Sequence, residues 1–233
     1  MPATWSARAS EAAIAAAALV GLGLFRLVDA TLDVRIHGHE RLALAARTGR
    51  RLLFVVWHGK GLIPVLFLQG APLVIYTSQP RETSWGGLSR QVRRFTLAAL
   101  RHMGYTVLDA AQFATESRGV VRFLQMLQSG NGIIAADGPS GPMYRAKPGA
   151  VFLAKRGGVS LVPVGAALRS SFVLDSWDRF EIPQPFSRAA LVLGEWLDVP
   201  EQAGDEELTA LSRRLETALN DLTTRAELEA FAS

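Results

Sequence analysis

The sequence predicts an α/β fold: a single domain with a mostly parallel central sheet flanked by helices, preceded by an apolar N-terminal helix. Three observations lead there. Short apolar runs alternate with longer amphipathic stretches, the pattern of strands joined by crossover helices. One run, Leu52-Leu53-Phe54-Val55-Val56-Trp57, is apolar at every position, as in a strand buried on both faces. The chain has 233 residues and is 49% hydrophobic, enough for one core and too apolar for a disordered polymer.

Taken in order, the first element is the run at 12–25, which carries no charge between Glu11 and Arg26. Its 14 residues make roughly 21 Å of helix at about 1.5 Å per residue. A hydrocarbon core of about 30 Å needs around 20 residues, so this run is too short to span a membrane. Glu11 abuts it and no small-residue cleavage site follows, which argues against a signal peptide. Two readings remain, a retained helix partly immersed in a membrane and an alanine-rich core helix; the first is preferred. Strands are then expected at 34–37, 52–57, 73–76, 105–108, 132–136, 160–168 and 190–199. Helices are expected at 40–47, 88–103 (ended by Gly104), 116–127 and 149–156. Leu208, Leu211, Leu215, Leu219 and Leu222 mark one face of a last helix, a core stripe. The division is therefore an apolar, membrane-contacting helix at 1–30, an α/β domain at 31–222 and a C-terminal tail at 223–233.

Charge is unevenly placed. The net charge of +4 conceals a body of +9 over residues 1–200 and an end of −5 over 201–233. A basic body suits an anionic surface such as phospholipid headgroups, although 22 of the 25 bases are arginine and a general arginine bias gives the same count. Zinc-finger spacing, stacking motifs and basic tails are absent, so nucleic acid is not expected as a partner. With no cysteine, disulfides, thiolate metal sites and a catalytic thiol are excluded.

In open parallel sheets ligands bind beyond the carboxyl ends of the strands, so the loops there are where chemistry is sought. His58 follows directly on the apolar run, with Gly59 and Lys60 after it. An imidazole is the usual general base near neutral pH. His37 and His39 share a face of a short strand but lack further ligands for zinc, and His102 ends a helix. The second loop, Asp137-Gly138-Pro139-Ser140-Gly141-Pro142, joins an acid to a stiff turn. Arg145 and Lys147 follow it just before a helix start at Pro148-Gly149, a reasonable anion site. A tight turn with solvated bases would show the same residues.

Taken together, Trp57-His58-Gly59, Asp137-Gly138-Pro139-x-Gly141-Pro142, Lys147-Pro148-Gly149, Ala154 with Gly158, Val162-Pro163-Val164 and Trp177-Asp178-Arg179-Phe180-x-Ile182-Pro183-x-Pro185-Phe186 resemble one family. It is a bacterial domain-of-unknown-function branch of the lysophospholipid acyltransferase-like superfamily, and the similarity runs from about residue 30 to 220. The resemblance implies an acyltransferase-like α/β domain at the cytoplasmic face of a membrane, peripheral or monotopic. It implies transfer of a fatty acyl group from acyl-CoA or acyl carrier protein to a hydroxyl or amine of a lipid acceptor, with no cofactor. His58 matches the histidine of the superfamily's His-x-x-x-x-Asp/Glu signature, but Ile63 stands where the orienting acid falls. Pro-Glu-Gly-Thr-Arg corresponds to 136–140, where Asp137 keeps a carboxylate, Gly138 the glycine, and Ser140 replaces the phosphate-binding Arg. Pro163 keeps the proline of the last motif.

Asp137 is the first candidate to orient the His58 ring and Glu82 the second. Arg145, Lys147, Lys60 and Arg81 are the candidates to bind acceptor phosphate. Arg90, Arg94 and Arg101 form a stripe on one helix, more simply its solvated side. The competing class is a non-catalytic lipid-binding protein that kept the fold. A hydrolase lacks its Gly-x-Ser-x-Gly elbow, and phosphate transfer lacks a Gly-Lys-Ser/Thr loop.

Overall fold

A computed structural model describes residues 21, 23, 26–77, 86–113 and 115–232, without the side chains of 86–92. Arg81 and Glu82 lie outside the described residues, as do most of the apolar run at 12–25 and the side chain of Arg90. Among the described residues no helix is long and apolar enough to cross a membrane.

The chain runs β1 (Asp33–His37), α1 (Glu40–Thr48), β2 (Leu52–Val56), α2 (Leu62–Phe67), β3 (Leu73–Thr77), α3 (Gly86–His102) and β4 (Thr106–Asp109). It continues through α4 (Glu116–Leu127), β5 (Asn131–Ala135), α5 (Gly149–Gly157), β6 (Ser160–Leu168), β7 (Ser171–Val173), β8 (Glu181–Pro183), β9 (Arg188–Leu193) and α6 (Asp205–Phe231). Seven strands form one sheet in the order β1-β9-β6-β2-β5-β3-β4. Strands β6, β2, β5, β3 and β4 are parallel. β9 runs against β6, and β1 lies parallel to β9 at the edge. This is the expected mostly parallel α/β architecture.

Burial follows from composition. Every residue of β2 and of β6 is buried, because helices cover both faces of the sheet there. Leu52, Phe54 and Val56 face one layer with Ile63 and Leu66 of α2; Leu53 and Val55 face the other with Phe123, Leu127, Val151, Leu215 and Leu219. Alternate residues of one strand thus feed two cores, as the two-residue period of a strand requires.

Two expectations need correction. The strand expected at 190–199 is Arg188–Leu193 and stops before Gly194. The apolar residues beyond it rejoin the sheet through a single bridge, Leu161 to Leu197. The tail expected at 223–233 is helix to Phe231, and Thr223, Ala226 and Ala230 are buried on it. The last two pack on Ala167, Ala190 and Val192 of the sheet. The leucine stripe stops at Leu222 because the helix comes closer to the sheet there and only small side chains fit. A further element, the two-stranded ribbon of β7 and β8, was not among the expected strands.

Candidate active site

β2 and β5 pair in register, with Val56 opposite Ala135, so the loops after them emerge side by side. Trp57, buried and extended, ends the strand and starts a 3-10 turn at His58–Lys60. The neighbouring strand continues to Ala136 and Asp137 beside it, held by Ala136 N–H donating to Val56 O at 2.8 Å. The two loops picked out in the sequence are therefore brought together.

Register decides who holds the histidine. Asp137 lies level with His58, so its Oδ1 accepts from the His58 main-chain N–H at 3.1 Å. The ring is held one residue further on, with Nδ1 3.3 Å from Gly138 O. A carbonyl oxygen can only accept, so this contact puts the proton on Nδ1 and the lone pair on Nε2. Nε2 has no hydrogen-bond partner among the described residues. The expectation that Asp137 accepts from the ring is corrected: it fixes the backbone under His58, and a peptide carbonyl fixes the tautomer. Ile63, where the superfamily carries an acid, is buried in the apolar core.

Asp137 is fully buried, and its Oδ2 has no partner among the described residues. Burial pushes its carboxyl up to about 6, against the opposing pull of His58.

The cations divide. Lys60 donates to Glu181 of β8 at 2.6 Å and lies 3.6 Å from Glu227 of α6, with both partners of the first pair largely buried. Burial alone would lower its ammonium, but Glu181 and then Glu227 outweigh that and raise it. Arg145 points outward to Glu216 at 3.0 Å, and the second oxygen of Glu216 accepts from Ala146 N–H. The acidic C-terminal helix thus neutralises bases of the two loops. Lys147 is different: its main chain donates to Ala136 O, its side chain lies over Gly138, and it has no ion pair among the described residues. Of the phosphate-binding candidates within the described residues, Lys147 alone is uncommitted beside His58. Ser140 is exposed.

The ribbon supplies groups that sequence reasoning did not assign to the site. Trp177 meets the His58 ring edge-on, with centroids 5.4 Å apart. A Cβ on Gly141 would meet the Trp177 ring at 2.6 Å. A Cβ on Gly59 would overlap the Asp178 carbonyl oxygen, so only glycine allows the ribbon to lie against the His58 turn. Tyr144 packs edge-on to Trp57 at 5.6 Å, and burial raises its hydroxyl. The signal for the ribbon was present as the run at 177–186; Glu181 was one of the two unassigned positions within it.

The remaining histidines lie elsewhere. His37 Nε2 is 3.4 Å from Glu229 Oε2, at the carboxyl end of β1, which lies at the sheet edge three strands across from β2. It borders a groove of about 470 Å³ with His39, Arg41 and Arg225. His102 Nδ1 is bonded to Ala98 O on its own helix.

No family model matches the chain. An uncharacterised protein of Rickettsia prowazekii (strain Madrid E) is 34% identical over 70 residues, which cover 30% of this chain and 32% of that protein. The match thus spans about a third of that relative's length. Among solved structures, the 1-acyl-sn-glycerophosphate (LPA) acyltransferase PlsC from Thermotoga maritima superimposes with a TM-score of 0.54 at 16% identity. That similarity covers all of this chain and 86% of PlsC. The fold is therefore that of an acyltransferase.

Proposed function

We propose that the protein is an acyltransferase that moves a fatty acyl group from a carrier thioester to a hydroxyl or amine of a lipid acceptor, with His58 as general base. The observation that carries this reading is the His58 ring held through Nδ1 by Gly138 O at a carboxyl end of the parallel sheet. Nε2 takes the proton of the acceptor as its oxygen or nitrogen attacks the thioester carbonyl. Main-chain N–H groups around the site stabilise the oxyanion, and the thiolate leaves with the proton returned by the imidazolium. No covalent enzyme intermediate is required. Lys147 binds an acceptor phosphate as a point charge, in the place the superfamily gives to arginine.

The donor is acyl-CoA or acyl carrier protein, and the protein works at the cytoplasmic face of a membrane. The +9 charge of residues 1–200 supports an anionic surface as its partner. A second reading, lipid binding without transfer, is favoured by one observation: Ile63 is apolar, and the His58 ring bonds a neutral carbonyl instead of a carboxylate.

Lipid mass spectrometry of cells expressing wild type or His58→Ala separates the two. Acyl transfer predicts an acylated species that is lost with the histidine. Matching lipid profiles from folded, membrane-binding proteins would favour lipid binding.

A further inference from the structure

The ribbon that touches His58 with its tip carries a run of exposed apolar side chains. Phe172, Val173 and Leu174 are 58%, 44% and 38% exposed. Neighbouring strand residues point to opposite faces, so three consecutive exposed apolar residues leave both faces of β7 uncovered. Phe186, just past β8, is 82% exposed. A sheet edge bathed in water ordinarily keeps at least one face polar.

We propose that this ribbon docks on the surface of an anionic phospholipid bilayer and brings the acceptor lipid to His58. The inference rests on the acyl-transfer reading for its purpose, while the docking itself does not depend on turnover. Two features select a bilayer. A protein groove would cover one face of β7, whereas the boundary between headgroups and acyl chains closes around both. An unpaired cation lies beside the patch: Arg169, two residues before β7, is exposed and has no ion pair among the described residues. Arg179 shares its charge with Asp175 at 3.9 Å, and Glu181 is paired with Lys60.

The rest of the chain supports the same orientation. Phe186 N–H donates to Thr31 Oγ1 at 2.9 Å, which ties the base of the ribbon to the residues that follow the uncharged run at 12–25. Leu27, in the described residues after that run, is 66% exposed. At its other end the ribbon is fixed to the site by Trp177 on His58 and by Glu181 on Lys60. A lipid met by Phe172 or Leu174 is therefore already beside the catalytic turn.

The test is co-sedimentation of the full chain with phosphatidylcholine vesicles, with and without phosphatidylglycerol. Three proteins are compared: wild type, the triple variant Phe172→Ser/Val173→Ser/Leu174→Ser, and Arg169→Glu. Expected is a fall of about tenfold or more in partition for the triple variant on the anionic vesicles. A smaller fall is expected for Arg169→Glu, vanishing without phosphatidylglycerol. Arg169→Glu leaves the apolar residues in place and still reads the docking if the triple variant misfolds. Wild-type partition in both variants would overturn the proposal. So would a dimer of the wild type in light scattering that the triple variant converts to monomer without vesicles, because the patch would then be an interface between copies. Binding is read without turnover, so a failed acyl-transfer assay and a failed docking assay remain separate results.

Discussion

His58 and His37 both lie at the carboxyl ends of strands, yet those strands run in opposite directions three places apart in the sheet, and the two histidines hold different partners. His37 faces the carboxylate of Glu229 on α6 across 3.4 Å. His58 faces the carbonyl of Gly138, which accepts one hydrogen bond and leaves Nε2 with a lone pair. A groove of about 470 Å³ lies beside His37. The partner of Nδ1 is what favours His58 as the proposed base.

The largest effect expected from breaking this comparison is on transfer itself. His58→Ala should lower the rate of thioester consumption with lipid acceptor by about 10²–10⁴-fold, the usual range for a lost general base. His37→Ala should leave that rate within about twofold and act on stability instead. Equal losses in both variants would erase the distinction between the two histidines.

The next contrast is between the two lysines. Lys60→Ala leaves Glu181 largely buried without its cation, so the ribbon should loosen and the fold lose about 2–4 kcal/mol, measured by denaturant unfolding. Lys60→Met with Glu181→Leu should recover most of that loss. Lys147→Ala should leave stability within about 0.5 kcal/mol and raise KM for a phosphate-bearing acceptor by about tenfold.

Asp137 adds a pH-dependent effect. Its folded value of about 6 lies above the ordinary 3.8, so the folded state holds this proton more tightly than the unfolded chain does. That contribution is present below about pH 4 and is lost as pH rises through about 6. Asp137→Asn removes the titration. Its stability relative to wild type should rise by about 1–3 kcal/mol between pH 4 and pH 6 and then level off. Parallel pH curves from thermal melts would contradict the burial argument. The smallest effect is at Arg145, whose side chain is exposed: Arg145→Ala should change stability by less than about 1 kcal/mol.

How much of this was legible depended on whether the signal was local. The run at 52–57 reads as a doubly buried strand because each residue is apolar, and His58 is then placed at its end by chain order alone. The end of β9 was misread because Trp196, Leu197 and Val199 extend the apolar pattern past the turn at Gly194. The last turns of α6 were read as a tail because the buried face there consists of Thr223, Ala226 and Ala230, which carry little hydrophobic signal. The ribbon's strands are three residues each, too short to show a period. Partnership was the least legible property. Lys60 looks like a phosphate ligand until Glu181, 121 residues away, is seen to hold it. Asp137 looks like the acid for the ring until the β2–β5 register gives its oxygen to the main chain.

The proposal of His58 as base depends on its Nδ1 proton being directed to Gly138 O, so that Nε2 is the nitrogen offered to an acceptor. ¹⁵N-histidine NMR of the full chain near neutral pH, with the His58 signals assigned by their loss in His58→Ala, measures this directly. The Nδ1–H tautomer is expected, with an unprotonated Nε2. An Nε2–H tautomer would contradict it, because the nitrogen offered to the acceptor would carry a proton and the Gly138 carbonyl would have no donor.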